Sequence, residues 1–156
     1  MANGGVERFL ERAQAAGVEV SVTEFPAGTR TAQDAAAAIG CDVAQIVKSL
    51  VFMADGSPVL ALTSGANRVD ERALAAALGA TEVGKADAQQ VREATGYAIG
   101  GTPPFGHDEP VRVVCDQTLT EHEEIWAAAG SPTTVFPLTP ATLLEVTGAT
   151  VAAFGR

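Results

Sequence analysis

The spacing of apolar residues changes along this chain, and each change marks an element. Val6, Phe9, Leu10 and Ala13 recur at the spacing of one helical face, and Gly17 can end that helix. Val18 to Phe25 alternates imperfectly and predicts a strand. Thr31 can cap a helix over 32–39, with Asp34 near the capping-box position and Gly40 closing it. Asp42 and Gln45 repeat the cap signal for one short helical turn. A β-branched and aliphatic run, Val47 to Ala54, then meets Asp55-Gly56, and Pro58 to Ser64 returns. That pattern predicts a hairpin at the centre of the fold.

Helical signals follow. Asp70 caps a segment holding Leu74, Ala77 and Leu78 that Gly79 closes, and Asp87 starts another that runs through Ala88 and Val91 to Gly96. Val111 to Cys115 predicts a short strand. Thr120 and Glu123 form a capping-box pattern that predicts a helix ending at Gly130. Thr133 to Leu138 predicts a strand, Thr139-Pro140 opens a helix that Gly148 ends, and Ala149 to Phe154 predicts a last strand. The hairpin argues for an α/β (α+β) domain with a mixed sheet surrounded by helices, not a simple doubly wound fold. Nothing repeats and no linker divides the chain, so residues 1–156 read as one domain.

One segment fits no regular element. Residues 95–106, TGYAIGGTPPFG, surround a short aliphatic stretch with two glycines and two prolines. Glycine opens backbone angles closed to other residues, and proline fixes φ and removes amide donors. A rigid loop with exposed backbone groups results, a shape suited to a small polar ligand. A second loop signal lies in AAAGSPTTVF at 127–136, where Gly130 and Ser131-Pro132 turn the chain.

Composition narrows the function classes. Aromatics are 5% of a chain that is 47% hydrophobic, so Ala, Val and Leu must build the core. A net charge of −9 argues against broad electrostatic binding to nucleic acid, but leaves room for docking one RNA end on a local basic spot. Arginines 8, 12, 30, 68, 72 and 92 are the candidates for such a patch. The N-terminus lacks a signal region and no apolar run approaches the ~20 residues of a membrane span, which predicts a soluble, cytoplasmic protein without membrane partners. Cys41 and Cys115 form no CxxC, and His107 and His122 make no metal set with them, so no metal is expected. Neither GxGxxG after a strand nor GxxxxGK[ST] is present, and no cofactor is expected.

Lys48 is one of only two lysines and lies in the apolar run IVKSLVFM. Three readings stand for it: a snorkelling edge residue, a point charge for phosphate or carboxylate, and a Schiff-base amine. SGANR at 64–68 is either a solvated loop into the next helix or a set of donors led by Ser64, Asn67 and Arg68. His107 reads as a turn residue or a general base, and Ser131 lacks triad partners.

The segments IVKSLVF at 46–52, LTSGANRVD at 62–70, YAIGGTPPFG at 97–106 and WAAAGSPTTVFPLTPATLLEVTGA at 126–149 together resemble the YbaK/ProX family of prolyl-tRNA editing domains. The resemblance runs in order along nearly the whole chain. It implies a mixed, partly barrel-like β-sheet with helices around it. It also implies a freestanding enzyme that hydrolyses, in trans, the ester joining a wrong amino acid to tRNA. The implied partners are the acceptor end of tRNA, and prolyl-tRNA synthetase or an elongation factor. The resemblance carries the essential lysine onto Lys48. It carries the amino-acid-binding loop onto Gly100, Gly101, Pro103, Phe105 and Gly106, and the second loop onto Gly130, Ser131 and Pro132. Ser49 and Ser64 join the expected substrate contacts, and a small neutral amino acid on proline tRNA (alanine, serine, threonine, cysteine or 2-aminobutyrate) is the acyl group expected to be removed. Alanine-specific members follow the lysine with asparagine and the Gly-Ser-Pro turn with histidine, whereas this chain has Ser49, Thr133 and Thr134. A binding domain of the same fold without activity, and a hydrolase of another small acyl ester, stand as rival readings.

Overall fold

Apolar runs bounded by Gly, Asp and Pro become two sheets with helices packed around them. The computed structural model describes residues 4–25 and 31–156. The helices are α1 (Gly4–Ala15), α2 (Ala32–Ile39), α3 (Glu71–Leu78), α4 (Ala88–Thr95) and α5 (Pro140–Thr147). The strands are β1 (Thr23–Glu24), β2 (Val47–Ala54), β3 (Ser57–Ser64), β4 (Val83–Lys85), β5 (Arg112–Asp116), β6 (Ile125–Ala128), β7 (Thr134–Leu138) and β8 (Thr150–Ala152).

The expected hairpin is the centre of the larger sheet. β2 pairs antiparallel with β3 from Val47–Ser64 to Ala54–Ser57. Asp55 and Gly56 turn the chain with φ of 48° and 85°, the two positive values that a tight type I′ hairpin needs. The sheet order is β4-β2-β3-β5-β8, with β3–β5 and β5–β8 parallel and the β4–β2 and β2–β3 pairs antiparallel. β3 is buried from Val59 to Ser64 because both its faces are covered. Val59 and Ala61 meet Phe52, Phe154 and the α3 residues Leu74 and Leu78. Leu60 and Leu62 face the second sheet, β1-β7-β6, through Ile125, Phe136 and Leu138. The two sheets join at an isolated parallel bridge between Ile46 and Trp126. β4 and β8 end the larger sheet, so the strands do not close into a barrel.

The caps follow the sequence signals. Thr31, Asp70, Asp87 and Thr139 each accept a backbone N–H in the first turn of α2, α3, α4 and α5, and Gly40, Gly79, Gly96 and Gly148 end the same helices in the left-handed conformation. Asp42 and Gln45 complete a capping box around the short 3₁₀ turn at Val43–Gln45.

Two expected elements are corrected, and one strand was not expected. The helix expected to end at Gly130 is instead a 3₁₀ turn, Gln117–Glu121, followed by strand β6. Ile125 and Ala127 are buried while Trp126 and Ala128 are less so, a period of two that pairing with β7 rewards over alanine's helix preference. The strand expected over Val18 to Phe25 shrinks to Thr23–Glu24, because pairing with β7 reaches only Val135 and Thr134. β4 had no sequence signal. It is three residues long and forms because its chain returns beside β2.

The Gly/Pro loop stays irregular and is pinned by its end. Phe105 is buried against Phe9 of α1 and Phe136 of β7, with centroids 5.1 and 6.1 Å away, and Phe9 and Phe136 stack 5.1 Å apart. Burying each ring stabilises the fold by about 1.5–3 kcal/mol. α1 reaches the second loop through backbone contact. A Cβ on Gly130 would lie 2.5 Å from Gly5 O, and Gly130 has φ of 106°. Gly130→Ala is therefore expected to cost roughly 3 kcal/mol, from a collision added to left-handed strain. Gly40→Ala, with φ of 86° and open space around it, is expected to cost about 1 kcal/mol. Urea unfolding of the two variants checks this, and equal losses would refute the Gly5–Gly130 contact.

Candidate functional site

The site begins at a gap along the outer edge of β2. Ile46 O accepts from Gly65 N, so Ile46 and the even-numbered residues of β2 bond to β3. The odd-numbered residues point to the other edge, where Val51 O accepts from Ala86 N as β4 ends. Beyond Ala86 the chain turns at Asp87 into α4, and on the far side β6 meets this edge at the Ile46–Trp126 bridge. Between them, the N–H and C=O of Ser49 face no strand.

A cleft of about 540 Å³ opens at this gap. That volume lies within the range of small-ligand sites, roughly 300–1,000 Å³. Its walls are Lys48 and Ser49 of β2, Asn67 and Arg68 after β3, the loop residues Ile99, Gly100 and Thr102, and Trp126 to Ala128 of β6. Thr31 to Gln33 at the start of α2 and Pro132 and Thr134 of the second loop complete it. Lys48 and Arg68 are its charged lining residues, and no described carboxylate lines it. In a chain of net charge −9 this is a local reversal of sign.

Lys48 is held by a chain of polar contacts. Its Nζ donates to the Asn67 carbonyl at 2.5 Å. The Asn67 amide donates to Asp116 Oδ2 and Thr118 Oγ1, each at 2.9 Å. Asp116, 1% exposed, also accepts from Ser64 N at 3.1 Å and Thr118 N at 3.0 Å. Gly155 allows this packing: a Cβ there would lie 2.6 Å from Asn67 Nδ2 and 2.8 Å from Asp116 Oδ2. Burial pushes the Lys48 ammonium below the ordinary lysine range, Asp116 opposes that shift, and Arg68 and Lys85 add to it. One ammonium hydrogen is used on Asn67 O, and two remain for a ligand. Asp116 was not singled out in the sequence. Its signal was a carboxylate ending the apolar strand VRVVCD, where pattern predicts burial.

The other expected contacts separate into two groups. Gly100, with φ of 88°, lines the cleft beside Lys48 and Ser49. The rest stand behind its wall. Gly101 packs on the second loop: a Cβ there would lie 2.8 Å from Ser131 Cα. Ser131 is buried, its Oγ 2.8 Å from Thr134 Oγ1. Ser64 Oγ donates to Ala44 O at 2.8 Å. Phe105 is in the core, Gly106 O accepts from Tyr97 Oη and Arg12, and Gly130 touches Gly5. The Pro103 carbonyl takes the His107 Nε2–H at 2.7 Å.

That bond removes His107 from the cleft, and burial lowers its pKa. Burial raises both thiols, Cys115 up to about 12, which disfavours a thiolate. Among the described residues no group of His, Cys, Asp and Glu could hold a metal, and no helix is long and apolar enough to cross a membrane. The arginines do not form one patch. Arg8 stacks 4.5 Å from the Tyr97 ring and donates to Gly96 O, and Arg12 pairs with Asp108 at 2.7 Å. Arg68 lines the cleft, Arg72 and Arg92 are exposed elsewhere, and Arg30 lies outside the described residues.

Comparison with known proteins shows the family of the chain. The chain belongs to the aminoacyl-tRNA editing domain family, whose profile matches residues 26–146. It is 33% identical over 128 residues to the uncharacterised protein YwhH of Bacillus subtilis, covering 81% of each. It is 32% identical over 127 residues to the proline–tRNA ligase of Streptococcus sanguinis, covering 71% of this chain and 21% of the ligase. The chain thus spans about a fifth of that enzyme. A crystal structure described as a candidate trans-editing enzyme for prolyl-tRNA synthetase superposes with TM-score 0.93 at 42% identity over 98% of both chains. The protein is an aminoacyl-tRNA editing deacylase, a hydrolase of the ester between amino acid and tRNA.

The charges around Lys48 give a titration test. Its folded pKa is lowered, so the folded chain binds fewer protons there than the unfolded chain between the two pKa values. The penalty of burying its charge is full at neutral pH, and stability recovers as pH rises through the folded value. By NMR, Lys48 is expected to titrate below the ordinary value of about 10.4. Asp116→Asn is expected to lower it further, because the charge that raises it is gone. An unchanged or higher value would break the link between Asp116 and Lys48.

Proposed function

We propose that the protein clears small neutral amino acids from mischarged proline tRNA, with Lys48 as the essential side chain of the cleft. The observation that carries this reading is the cleft's charge. Lys48 and Arg68 line it without a described carboxylate, in a chain that is otherwise strongly acidic. A terminal phosphate and its ribose can dock there while the rest of the surface repels nucleic acid, which confines contact to the acceptor end.

An aminoacyl ester is already activated, so hydrolysis needs a placed water and a donor for the developing oxyanion. The two free hydrogens of the Lys48 ammonium serve the terminal phosphate or the reacting carbonyl. Among the described residues the cleft has no activated thiol and no serine–histidine pair, which favours water as nucleophile. Gly100 shapes the loop wall of the cleft, and Gly101 fixes that loop against Ser131. Partners consistent with this reading are the tRNA acceptor end and a protein that delivers it, prolyl-tRNA synthetase or an elongation factor. The ligase relative supports proline tRNA as the nucleic acid. The cytoplasm, where tRNA is charged, is the compartment that this reading requires.

Lys48→Ala is expected to keep the fold, since the side chain ends in a cleft, and to lower deacylation about 100-fold or more. Release of alanine, serine, threonine, cysteine, 2-aminobutyrate and proline from proline tRNA measures it, with circular dichroism confirming the fold. Proline is expected to stay attached. A Lys48→Ala protein that deacylates at the wild-type rate would exclude this site.

A further inference from the structure

A second cavity of about 230 Å³ adjoins the cleft and shares Ser49, Leu50, Ile99, Gly100 and Thr102 with it. It is smaller than a whole-ligand site, roughly 300 Å³ or more, and suits one side group of a ligand that sits in the main cleft. Its lining is mostly apolar, with Val51 and Val91 buried, and the exposed Lys85 is its one charged residue among those described. Ser49 and Thr102 are the polar side chains shared by the two cavities, and the unpaired one is Ser49. Its Oγ is buried and has no hydrogen-bond partner among the described residues. A buried hydroxyl left unpaired is costly, so a native structure keeps one where something else completes it.

The backbone of the same residue says what that something is. The N–H and C=O of Ser49 face the outer edge of β2, where neither β4 nor β6 pairs with them. An open strand edge offers one donor and one acceptor to the main-chain groups of a ligand. An amino acid fits both: its ester carbonyl takes the N–H, and its α-ammonium donates to the C=O. With the main-chain groups fixed there, the side chain falls into the small cavity, within reach of Ser49 Oγ. Thr102 Oγ1, the other hydroxyl that both cavities share, is already committed as donor to Ala98 O at 3.0 Å.

We infer that Ser49 is the specificity-determining residue, and that its free hydroxyl binds the side-chain hydroxyl of a seryl or threonyl ester, so that hydroxylated amino acids are removed in preference to their apolar isosteres. This rests on the deacylase reading of the cleft and names the substrate class within it. Seryl and 2-aminobutyryl groups are the sharpest pair, because they differ only by hydroxyl for methyl. A site built to pair a hydroxyl discriminates against the analogue that lacks it, since its own polar group is then left unpaired. One neutral hydrogen bond gives about tenfold.

The test is the rate of release of serine, threonine, 2-aminobutyrate and alanine from proline tRNA by the wild-type chain and by Ser49→Ala, with thermal unfolding of both free proteins. The wild type is expected to release serine about tenfold faster than 2-aminobutyrate, and Ser49→Ala is expected to abolish that ratio. Free Ser49→Ala is expected to melt no lower than the wild type, because the hydroxyl it removes has no partner in the free protein. A wild-type ratio near one, or a ratio that Ser49→Ala leaves intact, overturns the inference while the deacylase reading stands. A markedly lower melting temperature overturns it too, by showing that the hydroxyl is spent within the protein. Release of none of the four from this tRNA by the wild type overturns the inference together with the proline-tRNA reading beneath it.

Discussion

The unpaired stretch of the β2 edge is the constraint from which the rest of this structure follows. A strand in mid-sheet normally has neighbours along both sides. β2 has β3 along its whole inner side, but two separate neighbours outside: β4 over Phe52 to Ala54, and β6 at Ile46. The two leave in different directions, one into α4 and the other into the second sheet. What lies between them is a cleft whose floor is backbone, held rigid by the hairpin behind it. The side chains at that point, Lys48 and Ser49, project to opposite faces of β2, so one position supplies charge and the next a hydroxyl. A hairpin buried on both faces of β3 costs little further ordering when a ligand binds, and that is the physical basis of preorganisation here.

The loops that close the cleft are irregular but not loose. Phe105 anchors the Gly/Pro loop in the aromatic cluster, Arg12 holds Gly106 O and Asp108, and Arg8 holds Gly96 O from above the Tyr97 ring. α1 thereby serves as a brace for the loop, and two of the chain's arginines act within the protein instead of toward RNA. The second loop is fixed from the other side, where Gly5 meets Gly130 and Gly101 meets Ser131. Most motif glycines in this chain therefore permit close approach of protein to protein. Gly65 and Gly100 line the cleft, and of these Gly100 has open space where a Cβ would stand.

Electrostatics reconcile an acidic protein with an anionic partner. Charge acts locally where a cleft excludes water and at most weakly across a screened surface. Lys48 is partly desolvated, and Asp116 is near enough to support its charge without reaching it, since Asn67 stands between them. A carboxylate in direct contact would neutralise the ammonium for any ligand. Asn67, with its main-chain carbonyl on Lys48 and its side-chain amide on Asp116, keeps the position and leaves two of the three ammonium hydrogens.

Much of the local structure was legible in the sequence because it is set by local chemistry. Caps at Thr31, Asp70, Asp87 and Thr139, left-handed glycines at helix ends, and Asp55-Gly56 at the hairpin each depend on neighbours a few residues away. Lys48 was legible for the same reason, as a rare charge inside an apolar run. The errors fell where a distant partner decided. Ala127 and Ala128 have helical preference, yet β7 makes their segment a strand, and β4 exists only beside β2. The site shows the same division. Sequence determined which residue types could do chemistry and which segments would bend. Only the tertiary structure decided that Gly100 lines the cleft while Phe105, Gly106 and Gly130 pack against α1, that Asp116 stands behind Lys48, and that Ser49 Oγ has no partner among the described residues. Those outcomes depend on contacts between elements far apart in the chain, and no local preference encodes the direction from which a neighbour arrives.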